Sequence, residues 1–74
     1  MLVGDLIYND DFDCNCNVDI YDCTEENAQW GEGGKKIYST NSDHHKPLDA
    51  ILDMKIKYIT VDIKTCSIVV EATR

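Results

Sequence analysis

Long apolar runs, cationic side chains and assembled catalytic sets are what this chain has least of. No uninterrupted apolar run exceeds three residues, Ile68-Val69-Val70 among them, whereas a membrane-spanning helix needs about 20. The first residues, Met1-Leu2-Val3-Gly4-Asp5, carry neither the basic n-region nor the apolar h-region of a secretory signal. A cytoplasmic setting is therefore expected, with Cys14, Cys16, Cys23 and Cys66 as reduced thiols. Seven Lys and Arg stand against fourteen Asp and Glu, for a net charge of −7. DNA, RNA and anionic membranes are bound through basic patches, so direct contact with them is disfavoured. The charge suits solubility, cation binding or a basic protein partner. No nucleophile–base–acid set stands out, and so short a chain leaves little room for a pocket, so no enzyme is expected. Repeats, linkers and low-complexity tracts are also missing.

What is there describes one small domain. Its 74 residues, 43% of them apolar, can bury a modest core near the lower size limit for independent folding. Leu2, Val3, Leu6 and Ile7 share a helical face, with Asp5 in the first turn where the helix dipole favours it, which predicts a short helix over 2–8. Val18-Asp19-Ile20-Tyr21-Asp22 alternates like a half-buried strand with Val18 and Ile20 inward. A polar loop over 23–36 holds Trp30 and Gly31-Glu32-Gly33-Gly34. A short strand follows over 35–40. Pro47 opens a helical turn in which Leu48, Ile51 and Leu52 share one side.

Residues 54–63 read as the longest strand, with a phase slip between Tyr58 and Ile59 that predicts a bulge or bend. Residues 68–72 form the last strand, pairing with 54–63 as an antiparallel hairpin. The sum is an α+β domain, residues 1–74, built on a small antiparallel sheet of about four strands, open or curled into a partial barrel.

The stretch DFDCNCNVDIYD, Asp11 to Asp22, admits three readings. An EF-hand loop would use Asp11, Asp13, Asn15, Asn17, Asp19 and Asp22. Cys16, however, replaces the required glycine, Asp22 replaces the bidentate Glu, and the flanking helices are lacking. A zinc site would draw on Cys14, Cys16, Cys23 and Cys66, with His44 and His45 as nitrogen donors, yet Cys-x-Cys is an unusual clamp. The favoured reading is an Asp/Asn-rich turn running into a strand, with buried thiols acting as small hydrophobes.

Elsewhere, GEGGKK lacks the Ser or Thr and the following helix of a phosphate loop. The pair His44-His45 beside Asp43 reads as solvated. Trp30 either caps the open end of the sheet or anchors an interface. Tyr8, Tyr21, Tyr38 and Tyr58 divide in the same way between core rim and contact surface.

The order Val3-Gly4-Asp5-Leu6-Ile7, Val18-Asp19-Ile20-Tyr21-Asp22, Lys36-Ile37-Tyr38, Pro47-Leu48 with Ile51-Leu52, Ile56-Lys57-Tyr58-Ile59 and Ile68-Val69-Val70-Glu71 loosely resembles a class of small acidic uncharacterised proteins. They occur in gut Firmicutes and in their phages and mobile elements. Its motifs are short and it offers no catalytic residues to carry over. This chain departs from it in its extra cysteines and in the long loop with Trp30. The resemblance implies an intracellular accessory protein of a phage or mobile element. Small acidic phage proteins include inhibitors of host defence nucleases, such as anti-CRISPR proteins, some of which mimic nucleic acid.

The acidic residues Asp10, Asp11, Asp13, Asp19, Asp22, Glu25 and Glu26 cluster in the N-terminal third and suit that role. The leading expectation is a non-catalytic protein-interaction module. It would present Trp30 with Asp11, Asp13, Asp19, Asp22, Glu25 and Glu26 to a basic protein, as a monomer or homodimer and without a cofactor. The alternative is a zinc- or calcium-binding domain using Cys14, Cys16, Cys23 and Cys66 or the Asp11–Asp22 run.

Overall fold

Two alternating segments and one short apolar run build the centre of the molecule. A computed structural model describes residues 1–9, 11, 16–43 and 45–74. Helix α1 (Val3–Ile7) is followed by strands β1 (Asn17–Asp22) and β2 (Lys35–Ser39), helix α2 (Asp49–Leu52), and strands β3 (Lys55–Asp62) and β4 (Ser67–Thr73). The four strands form one open sheet in the order β2-β1-β4-β3.

The β1–β2 and β3–β4 pairs are antiparallel, as the expected hairpin requires, but the central pair β1–β4 is parallel. A parallel pair needs a crossover connection, and here the chain passes through β2, α2 and β3 before β4 returns beside β1. The sheet does not close into a barrel: β2 and β3 remain as its two edges.

The core lies on one face. Val18 and Ile20 of β1 sit opposite Ile68 and Val70 of β4. Val18, Ile20 and Val70 with Tyr38, Ala72, Val3 and Met54 form the buried cluster, against which Leu6, Ile7, Ile51, Ile56 and Ile68 pack. Helix α1 is short enough to depend on that packing. The Asp5 carboxylate accepts the Leu2 N–H at 3.0 Å and so satisfies one donor at the helix start. At Gly4, a Cβ would stand 3.2 Å from the Leu52 carbonyl oxygen, so the missing side chain is what lets α1 approach α2.

Two local expectations shift. Leu48 is the N-cap of α2 in extended conformation and points outward at 67% exposure, so only Ile51 and Leu52 of the expected face turn inward. Pro47 accordingly precedes the helix instead of opening it. The bulge in β3 falls between Ile56 and Tyr58, before the predicted slip, and Lys57 is the extra residue.

The edges are treated differently. At β2 the Asp43 carboxylate accepts the Ser39 N–H at 2.9 Å and the Asp43 N–H donates to the Ser39 carbonyl at 2.8 Å, blunting that edge against further pairing. At β3 only the start is covered. Leu2 bridges Lys55, and the Met1 carbonyl accepts the Ile56 N–H at 2.8 Å. Beyond Ile56 no described residue pairs with the outer side of β3.

Candidate interaction surface

The second face of the sheet is polar and folded over. Its floor is made of Asn17, Asp19 and Tyr21 from β1 beside Ser67, Val69 and Glu71 from β4, with Ser39 paired to Asp19 on β2. Asn17 ties three strands together. Its amide nitrogen donates to Asp19 Oδ1 at 2.6 Å and to Ser67 Oγ at 3.1 Å. Its amide oxygen accepts from Ser39 Oγ at 3.1 Å and Thr40 Oγ1 at 2.8 Å. Polar side chains on a covered face are tolerable when bonded in this way, and Asp19, Ser39 and Ser67 are all buried.

The cover is the loop between β1 and β2. Gln29 and Glu32 exchange backbone hydrogen bonds at 2.7 and 3.0 Å, so Trp30 and Gly31 form the two-residue tip of a tight turn, and Gly33 adopts φ +83° to leave it. Trp30 thus stands on a built turn, with its ring edge-on to Tyr21 at 6.3 Å between centroids. Its ring meets the sheet face at Tyr21 and also borders Ile63 and Lys64 of the β3–β4 turn. The Lys36 ammonium lies 5.7 Å from the Tyr21 ring centre and 3.8 Å from Asp19. The bulged Lys57 reaches back to the carbonyls of Cys23 and Ala28 at 3.3 and 3.4 Å, fastening the loop to β3.

On its outer side Trp30 borders an apolar cleft of about 640 Å³ with Val61, Ile63 and the stem of Lys64. Along the same edge Tyr58, Ile59, Val61 and Ile63 are exposed, Ile63 to 86%. Tyr58 lies on the polar face opposite Glu71, and Ile59, Val61 and Ile63 alternate along the other side; several exposed apolar residues on an uncovered strand edge are characteristic of contact surfaces. The carboxylates Glu25, Glu26 and Glu32 are exposed on the same loop, where they line a cleft with Asn27 and Gln29.

The residues singled out by the sequence are distributed unevenly. Trp30 is half-buried in the turn. Glu25 and Glu26 are exposed on the same loop, and Asp11 is exposed with its N–H on Asn9 Oδ1 at 2.8 Å. Asp19 is buried in the Asn17 network. Asp22 closes the end of β1: hydrogen bonds from Thr24 hold its carboxyl below the usual range, against a smaller opposing effect of burial, and Arg74 adds to them. Asp10, Asp13, Cys14, Asn15 and His44 lie outside the described residues.

Of the other cysteines, Cys16 and Cys66 are exposed and Cys23 is fully buried. Burial, and then the Glu71 carboxylate, push the Cys23 thiol up. Among the described residues no three His, Cys, Asp or Glu side chains are grouped to hold a metal ion, and Asn17–Asp22 of the acidic run is strand. His45 sets its ring edge-on to Tyr38, whose hydroxyl donates to the His45 carbonyl.

The sequence reading missed Val61 and Ile63 as surface residues and passed over Glu71. Val61 and Glu71 sit in alternating strands and Ile63 in the turn after β3; the period was visible, but which side would stay uncovered was not. Set against family models, curated proteins and solved structures, the chain finds no match in any of the three.

Proposed function

We propose that this chain is a non-catalytic interaction module that docks a basic protein. The observation that carries the reading is the uncovered edge of β3, where Ile59, Val61 and Ile63 are exposed at alternate positions and Val61 and Ile63 share a cleft with Trp30. Trp30 is the kind of large, rigid side chain that anchors interfaces. Glu25, Glu26 and Glu32 are exposed on the same loop as Trp30, on a body of net charge −7. An apolar centre with a charged rim is the ordinary anatomy of a protein interface, and the sign of the rim selects a basic partner. In that role the chain would act in the cytoplasm as an accessory protein of a phage or mobile element, occupying the nucleic-acid-binding surface of a host protein.

The test is displacement of fluorescent RNA from a basic nucleic-acid-binding protein by the purified chain. Displacement is expected from the wild type and is expected to weaken in the Val61→Ser, Ile63→Ser double variant, which leaves the charge unchanged. If the chain displaces nothing at any salt concentration, the proposal is wrong.

A further inference from the structure

Two carboxylates are buried on the covered face, and they are not equivalent. Asp19 accepts from Asn17 and faces Lys36. Glu71, at 6% exposure, has no hydrogen-bond or ion-pair partner among the described residues. No side-chain oxygen among the described residues is both fully buried and unpartnered, so the Glu71 carboxylate still meets solvent, and the cleft it lines is informative.

Register sets Glu71 between Tyr21 on β1 and Tyr58 on β3. Its carboxylate helps line a cleft of about 520 Å³ between β3 and the loop, with Asn27 and Gln29 on the loop side and Thr60 on the strand. Lys57 lines the cleft too, but its ammonium is held by the carbonyls of Cys23 and Ala28 and makes no ion pair with Glu71. The exposed ring of Tyr58 belongs to the same wall, a surface suited to an alkyl stem or to the face of a cation.

We propose that this cleft receives one organic cation, the ammonium or guanidinium head of a lysine or arginine side chain, with Glu71 as its counter-ion. Glu25, Glu26 and Glu32 stand exposed on the adjoining loop and attract positive charge toward it. The basic protein proposed above supplies that side chain. The inference rests on that reading for the source of the cation, while the cleft stands on Glu71 itself.

The probes are butylguanidinium and butylammonium chloride, titrated into ¹⁵N-labelled protein, with sodium chloride at matched ionic strength as the reference. Saturable shifts are expected at the amides of Gln29, Tyr58, Thr60 and Glu71. Glu71→Gln should weaken that binding by at least about tenfold, the scale of one lost charge-assisted hydrogen bond. Glu25→Gln, at an exposed position, should change it by less than about threefold.

Shifts confined to residues around Glu25, Glu26 and Glu32, or reproduced by sodium chloride, would overturn the proposal. Should Glu71→Gln fail to fold, the mapped shifts of the wild type decide the matter alone. Measuring the same variants against the basic protein separates the two readings. Equal binding by wild type and Glu71→Gln would overturn the side chain of that protein as the source. Cations filling the cleft while no basic protein binds would support the cleft as a site for a free amine and remove the partner reading.

Discussion

At Gly34 the backbone passes so close to its neighbours that a side chain has nowhere to go. A Cβ there would stand 2.5 Å from the Gln29 carbonyl oxygen and 2.9 Å from the Cys23 sulfur. The first contact is backbone and cannot swing aside, because the same carbonyl accepts the Gly34 N–H at 2.8 Å. Gly34→Ala is expected to lower stability by about 1–3 kcal/mol, read as a drop in the thermal midpoint.

Cys23, packed beneath Gly34, gives a second prediction. Its thiol is pushed up by burial and by Glu71, and the Tyr38 hydroxyl is pushed up by burial and by Asp43. A group whose folded value is raised contributes its stability below the unfolded value and loses it as pH rises through the folded one. Stability should therefore fall above about pH 9, where unfolded thiols and then phenols ionise. Asp22 acts in the opposite sense at the acid end. Its lowered carboxyl stabilises the fold above the ordinary carboxylate range, and that contribution disappears as pH falls through its folded value. Denaturant midpoints measured across pH should trace both declines, and at pH 8 an alkylating reagent should modify Cys66 well before Cys23.

Among the elements, β1 is the organising strand, because it pairs antiparallel with β2 and parallel with β4. Asn17 opens it and joins Asp19, Ser39, Thr40 and Ser67 across those strands. Asn17→Ala leaves the buried Ser39 and Ser67 hydroxyls short of a partner, so a loss of roughly 2–3 kcal/mol is expected in urea unfolding. Leu at the same position should be no better, since the surrounding groups stay polar.

The strands were legible because alternation survives in a short chain: Val18 and Ile20 turn inward as their spacing requires, and 54–63 differs from β3 by one residue at each end. The parallel sense of β1 against β4 was not legible, since apolar patterning gives a strand's faces and not the direction of its neighbour. Asp19 reads as the solvent side of its strand and Ser67 as part of the preceding turn, yet both are buried, as are Ser39 and Glu71. Their burial comes from long-range contacts with no periodic signature: the Asn17 network holds Asp19, Ser39 and Ser67 together, and the loop residues Ala28 and Gln29 border Glu71. Val61 and Ile63 stay exposed because β3 is an edge strand, and a strand's place in the sheet has no local signature.

For the molecule as a whole, the proposed function predicts two separable contributions to affinity. Net charge −7 attracts a basic partner over distances that salt shortens, with a screening length of about 10 Å at 0.1 M. The apolar strip on β3 acts only in contact and is not weakened by screening. Affinity for the basic protein should therefore fall with salt toward a plateau instead of vanishing. Neutralising Glu25, Glu26 and Glu32 together should flatten the salt dependence and leave the plateau in place. The Val61→Ser, Ile63→Ser variant should lower the plateau and keep the slope. Isothermal titration over a salt series resolves both quantities in one experiment. A binding curve that falls to nothing, with the serine variant indistinguishable from wild type, would mean that only general acidity binds the partner and that the β3 edge takes no part.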